Sequence, residues 1–278
     1  MVTPNLCSRI VLRVLAFALV VLALPSCRVR EAPESIDSLA RWYWVNYDDL
    51  TDEEVLDGVQ NLDAEVTTLL RQDKMPLKAK LEDLNKEDIA HLPLPPGTNP
   101  SVAQGLVVVT TMPCTLEQVE AIFIDDDFAS LFPDVYDSYK REYLTSFDDY
   151  VSRASSELSW TTTYQATLIG DPYTSEVSGE ARWVPTMERD EGPPGPALIS
   201  RSVLMKPASF GSDSNKSMPQ DYQIDLYYER SPGEVVHMFA VWRQMNVGTL
   251  STDDDILVNV MLANFVEWDQ RMSKICGS

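Results

Sequence analysis

The order of segments predicts an α+β fold: antiparallel strands and one long C-terminal helix, preceded by a small helical segment. Three observations carry this. Gly105-Leu106-Val107-Val108-Val109-Thr110-Thr111-Met112 is a β-rich run that leads straight into a helix entry. From Tyr136 to Gly248 one strand-like run follows another. Residues 252–275 then read as a single long helix.

The elements follow in order. Residues 28–35 are polar, contain Pro33, and read as a short tether. A helical segment is expected from about Ile36 to about Leu92, beginning with Leu39, Trp42, Tyr43 and Val45. Thr51-Asp52-Glu53-Glu54 is a capping box with acids in the first turn. Val55, Val59, Leu62, Val66, Leu69 and Leu70 follow at helical spacing. Asn85-Lys86-Glu87-Asp88 marks a second helix start. The stretch Leu92 to Pro100 holds four prolines and is either a semi-rigid linker or a strap along the surface.

After the β-rich run, Thr115 caps a helix whose Val119, Ile122 and Phe123 share a face. Strand-like runs follow at Tyr136 to Tyr143, Ser159 to Ile169, Gly179 to Val184, Ala197 to Met205, Tyr222 to Glu229 and Val235 to Gly248. Tyr222, Ile224, Leu226 and Tyr228 alternate with Gln223, Asp225, Tyr227 and Glu229, which predicts one buried face. Ser231-Pro232-Gly233-Glu234 is a turn. Long polar loops are expected around Arg189 to Pro196 and Phe210 to Pro219. The acids of Ser251 to Asp255 open the last helix, which carries Ile256, Val260, Leu262, Ala263, Val266, Trp268 and Met272.

The first 26 residues are read as an export signal and set apart from the fold. Arg9 and Arg13 precede the apolar run Val14 to Leu24, which is shorter than the ~20 residues a membrane-crossing helix needs. Leu24-Pro25-Ser26-Cys27 resembles the bacterial lipobox, although Pro25 departs from the usual residue. The resemblance implies that Cys27 takes a diacylglycerol, becomes the mature N-terminus, and tethers the chain to a membrane. An ordinary signal peptide with a chance cysteine is the alternative. Arg28 is not the Asp that resembles an inner-membrane retention signal, so the outer membrane, facing the periplasm, is favoured.

Loss of the leader removes two arginines and no acid, so the net charge goes from −21 to −23. That argues against nucleic acid and anionic membrane surfaces as ligands. It names no protein partner. With 44% hydrophobic residues the chain can bury a sizeable core. Cys7 lies in the leader and Cys27 at the anchor. Cys114 and Cys276 remain, an expected disulfide in an oxidising compartment, with two free buried thiols as the alternative.

Residues 102–278 resemble the START-like, or helix-grip, superfamily of the SRPBCC type. Val109 to Val119 looks like that family's first strand and helix entry. Leu131-Phe132-Pro133-Asp134-Val135 looks like the aromatic-Pro step before its second strand, and 252–275 fits its gripping helix. The resemblance implies a curved antiparallel sheet wrapped on the C-terminal helix. It also implies that Cys114, after the first strand, lies near Cys276, at the end of that helix. The division expected is a leader at 1–26, a tether, helical segment and Pro-rich linker at 27–101, and a START-like domain at 102–278.

No nucleophile motif, phosphate loop or dinucleotide fingerprint is present. His91 and His237 have no Cys or acid at metal-ligand spacing. Asp213-Ser214-Asn215 lacks the glycine and closing Glu of a calcium loop. No cofactor or metal is expected. The family's fold implies an apolar cavity between sheet and last helix. Its candidate lining is Trp160, Tyr164, Trp183, Met205, Tyr228, Met238 and Trp242 from strands, with Leu262 and Phe265 from the helix. The expected function is non-enzymatic binding of an apolar ligand such as a lipid by a membrane-anchored, exported lipoprotein. A structural or protein-binding lipoprotein with a filled core is the first alternative, and a cyclase-type enzyme the second.

Overall fold

The computed structural model describes residues 30–95, 97–168, 170–188, 193, 195–212 and 214–277. The leader 1–26 with Cys7, the anchor Cys27 and the Asp213 of the calcium-like motif lie outside the described residues. Ala32–Ser278 makes up one unit. No helix among the described residues is long and apolar enough to cross a membrane.

Helix α1 covers Ile36–Asn46 and α2 covers Asp52–Arg71. Thr51 and Glu54 form the expected capping box, each satisfying the other's backbone N–H. The helical segment expected to reach Leu92 stops at Arg71. Asp73 takes a left-handed backbone conformation, φ 55°, and the chain turns back. Leu77–Leu81 is then strand β1. Its Leu77, Ala79 and Leu81 alternate with Lys78 and Lys80, a period-2 pattern that no helix could use. The second expected helix start is only a short 3₁₀ turn, Glu87–Ile89, with Asn85 Oδ1 accepting from the Glu87 and Asp88 N–H groups. The proline-rich stretch is a strap: Leu92 and Leu94 pack on the core, and Gln220 donates to the Asn99 carbonyl at 2.8 Å.

Strand β2 is Gln104–Met112, followed by the short helices α3, Leu116–Phe123, and α4, Phe128–Leu131. Next come β3, Tyr136–Tyr143; α5, Phe147–Val151; β4, Glu157–Leu168; β5, Asp171–Val184; and β6, Ala197–Leu204. The short β7 is Ser209–Phe210, β8 is Lys216–Ser231, β9 is Glu234–Val247 and β10 is Leu250–Ser251. Strand β8 starts inside the loop expected at Phe210 to Pro219. Helix α6, Asp255–Cys276, closes the chain, with the Asp254 side chain capping it. The main path of the sheet is β1-β2-β9-β8-β6-β5-β4-β3, with β10 on β9 and β7 on β5. Every pairing is antiparallel. The architecture is the helix-grip one: an antiparallel sheet with a long C-terminal helix laid across it.

Both sides of the sheet are covered. Helix α6 packs Leu257, Val258, Met261 and Leu262 on Leu106, Val108, Val241 and Met245, on what we call the grip face. Helices α1 and α2 cover the outer face. Trp44 sits edge-on to Tyr222 at 5.6 Å between ring centroids and donates to the Asp88 carbonyl at 3.1 Å. Tyr43 donates to the Val55 carbonyl at 2.8 Å, and Gly58 makes room for it: a Cβ there would lie 2.1 Å from the phenol oxygen. Arg201 ties the two layers, donating to Glu180 and Asp48 at 2.7 Å each and lying over Tyr47.

Cys114 and Cys276 form a disulfide with Cα atoms 5.5 Å apart. The pairing that the resemblance implied is therefore made, and it fastens the end of α6 to the start of α3.

Candidate functional site

Residues alternate along each strand between the two faces, and the two faces differ in chemistry. The outer face is apolar and closed. Val107, Val109, Ile199, Val203, Tyr222, Ile224, Leu226, Tyr228, Val236, Met238, Ala240 and Trp242 all join the core under α1 and α2. Beside its apolar contacts with α6, the grip face carries Thr162, Ser175, Ser200, Ser202, Asp221, Gln223, Asp225, His237 and Arg243. Buried polar groups need partners, and each costs about 1–3 kcal/mol when left without one. Three lack them here: Ser175 Oγ, Ser200 Oγ and Asp221 Oδ1.

At one end of the grip face lies a charged clasp. His237 of β9 bonds through Nδ1 to Asp269 of α6 at 2.8 Å and through Nε2 to Asp225 of β8 at 3.1 Å. Thr110 of β2 donates to the other Asp269 oxygen at 2.6 Å. The Tyr227 ring stacks on the imidazole, centroids 4.0 Å apart. Burial alone would push His237 down. The Asp269 and Asp225 carboxylates outweigh it and raise its pKa to about 9. At neutral pH the ring is a cation with both N–H groups donating, so it cannot serve as a base. A folded-state pKa above the unfolded value of about 6.5 stabilises fully below pH 6.5, and that stability is lost as pH rises to 9. We expect guanidinium unfolding from pH 6 to 9 to show a loss on the order of 3 kcal/mol across this window. His237→Gln should remove that dependence; an unchanged slope in the variant would mean that His237 is not its source.

Beyond the clasp the grip face carries half-buried side chains around Arg243. Arg243 Nε and Nη2 both donate to Asp221 Oδ2, at 2.8 and 2.5 Å, and Gln223 donates to the same oxygen at 3.1 Å. The Arg243 guanidinium lies 5.7 Å from the Phe265 ring centroid. Its side chain is 18% exposed although burial is the strongest influence on its pKa. Tyr136, Tyr164 and Tyr173 are alike: half-buried, with desolvation pushing each phenol up. Ser202 and Gln223, on the central strands β6 and β8, are also half-buried, as are Phe239 and Phe265. The Phe239 and Phe265 rings meet edge-to-face at 4.7 Å.

The nine expected lining residues separate into groups. Tyr164 and Phe265 are half-buried on the grip side. Leu262 packs beneath α6 against the sheet. Trp160 and Trp183 are on the grip side but are buried with α3 and α4, where Phe132 stacks on Trp268 at 4.2 Å. Met205 lies just past the end of β6, half-buried. Tyr228, Met238 and Trp242 face the other way. Their strand positions share parity with Ile224 and Ala240, so alternation sends them under α1 and α2. Tyr228 donates to Asp63 at 3.1 Å, and Trp242 to the Glu82 carbonyl at 2.8 Å. These three therefore cannot line a space beneath α6.

The sequence reading missed the charged and phenolic members: Asp221, Asp225, His237, Arg243, Tyr136 and Tyr173. The signal was the set Asp221, Gln223 and Asp225, which reads as a solvated face until a second helical layer is counted. His91 contacts Arg201, at 3.0 Å. Among the described residues no group of three or more His, Cys, Asp or Glu is placed to hold a metal ion. A groove of about 700 Å³ also lies against the outer side of α6, between Leu131–Asp134 and the stretch Ala263–Ile275. Charged Glu267, Arg271 and Lys274 line it.

No protein-family model matches the sequence, and no curated protein matches it. Solved structures do. The chain is similar to a START superfamily protein from Mycobacterium smegmatis, at 9% identity and TM-score 0.40 over 62% of this chain and 98% of that one. It is similar to human STARD10, at 9% identity and TM-score 0.40 over 63% of each chain. It is also similar to the Zhui aromatase/cyclase from Streptomyces sp. R1128, at 11% identity and TM-score 0.34 over 62% of this chain and 90% of that one.

Proposed function

We propose that the chain is an exported lipoprotein whose folded unit holds a small, mostly apolar ligand in the recess under α6, acting by binding and not by catalysis. The observation that carries the ligand reading is the half-buried state of Gln223 and Ser202 in the middle of the sheet, beneath a helix that elsewhere packs tightly. A filled core would leave no surface at those positions. The titratable groups nearby favour binding over proton transfer. His237 has both nitrogens engaged, Arg243 is paired with Asp221, and burial raises the phenols. The anchor reading rests on the leader and on Leu24-Pro25-Ser26-Cys27. An oxidising compartment also suits the Cys114–Cys276 disulfide. Under this proposal Cys27 carries the lipid, and the bacterial outer membrane, facing the periplasm, is the location.

One experiment addresses both halves. The protein is purified from a bacterial host in mild detergent and its mass is measured twice, natively and after denaturation. The denatured mass should exceed that of residues 27–278 by a diacylglycerol and further acyl groups. The native mass should exceed the denatured one by a bound small molecule. A denatured mass equal to the unmodified chain would remove the anchor, and equal native and denatured masses would remove the ligand.

A further inference from the structure

We infer that one end of the sheet rests on a neutral lipid surface, held there by a short tether and by the exposed apolar side chains Leu144 and Val151. This rests on the anchor reading above and deepens it by naming the face that meets the membrane. The tether is fixed where it joins the folded unit. Ala32 is buried in the core, and Asn61 Nδ2 of α2 donates to the Ala32 carbonyl at 2.9 Å and to the Pro33 carbonyl at 3.2 Å. Five residues take the chain from Cys27 to Ala32. Even at full extension that count spans no more than about 18 Å. With Cys27 acylated, the bilayer surface lies within this reach of Ala32.

Helix α2 crosses one end of the sheet. At its start Arg182, near the end of β5, donates to the Leu50 carbonyl. Farther along, Asp63 accepts from Tyr228 and Arg230, near the end of β8, at 3.1 Å each. Strand pairing carries that end from Tyr228 through Ala197 and Val184 to Glu157, and on to Tyr143 at the close of β3. Four strand spacings, about 19 Å, separate β8 from β3, so one flat surface can meet the tether and this tip together. Leu144, just past β3, is 64% exposed, and Val151, one turn after Phe147 on α5, is 52% exposed. Ile256 and Val260 on α6 are exposed as well. They open a helix whose last residue, Cys276, is bonded to Cys114 at the tethered end, so about 30 Å of helix separates Ile256 from that end. The reach of the tether chooses between the two pairs. Glu142, Asp148 and Asp149 flank the tip and are exposed. Anionic headgroups would repel them, so the lipid surface is a zwitterionic one.

The test uses the mature acylated protein on phosphatidylcholine vesicles doped with doxyl-labelled phosphatidylcholine. A fluorophore is attached at Asp148→Cys and, in a separate variant, at Thr167→Cys, an exposed position about 33 Å along β4 from Glu157. The denatured mass confirms acylation of each variant, and its melting curve confirms the fold. The label at 148 should be quenched at least about two-fold more than the label at 167, because inserted apolar side chains sit about 5–10 Å into the headgroup and acyl boundary. Equal quenching in acylated, folded protein would overturn the orientation and leave the anchor standing. A mass without acyl groups would overturn the anchor and the orientation with it. Adding Leu144→Asn and Val151→Asn should bring the ratio toward one, and an unchanged ratio would overturn the part given to these side chains. Phosphatidylglycerol in the vesicles should lower the quenching at 148, and a rise would overturn the neutral surface.

Discussion

A fragment beginning at residue 102 should not fold into a soluble domain. Residues 102–278 contain every strand of the sheet but β1, and by sequence alone they look self-sufficient. Their outer face, however, is the apolar surface of Ile224, Leu226, Val236, Met238 and Trp242, which α1, α2 and the segment from Leu81 to Leu94 cover. Removing that layer also strands the Trp242 N–H, which donates to the Glu82 carbonyl, and the Arg201 guanidinium, which loses Asp48. Each large apolar side chain returned to water costs about 1.5–3 kcal/mol. A handful of them exceeds the ~5–15 kcal/mol of a whole typical domain. Expression of 32–278 beside 102–278 makes the comparison. The first should give a cooperative thermal transition, and the second should partition into the pellet or bind a hydrophobic dye without a transition. A soluble, cooperatively melting 102–278 would show that the helical layer is an accessory.

The second large effect belongs to the disulfide. Cys114 and Cys276 are 162 residues apart in sequence, and closing so long a loop removes much of the freedom of the unfolded chain. The chain-entropy model puts this at about 4–5 kcal/mol. Replacing both cysteines with serine should lower the melting temperature by on the order of 10 °C. Adding reductant to the parent protein should give the same shift, and adding it to the double variant should give none. The Gln118 side chain donates to the Cys276 carbonyl at 3.2 Å, so the helix end keeps one tie when the covalent one goes. If reductant leaves the parent's melting curve unmoved, the bond contributes little to stability.

Much of the fold could be read from residue patterns, and its failures have physical causes. Capping boxes at Thr51 and Thr115 and the acid cap of α6 are local devices, and each was visible. Strand β3 was read end to end because its polar and aromatic residues are bounded by a proline step and a turn. The extension of the first helical segment through Leu77–Leu81 failed because β1 is only one short edge strand, with a pattern too brief to outweigh its helical surroundings. The recess was half legible. Alternation in β8 was plain, but which side α6 would cover depends on the path of the whole chain. Tyr228, Met238 and Trp242 were therefore assigned to the wrong side, while Tyr173 and Arg243 were passed over. The clasp was invisible for another reason: Asp225, His237 and Asp269 are brought together from three elements, and no spacing in the sequence marks them.

The two-sided sheet also bears on how this protein can change. In β8 and β9 each neighbouring pair of positions gives one residue to the core under α1 and α2 and one to the grip face. The two jobs are therefore written on interleaved but independent tracks. Substitutions at Gln223 or Phe239 can change the grip face without touching Ile224, Ala240 or Trp242, which keep the molecule folded, whereas loss of Arg243 would leave the buried Asp221 carboxylate without its cation. A lineage built this way can vary one face while leaving its scaffold alone.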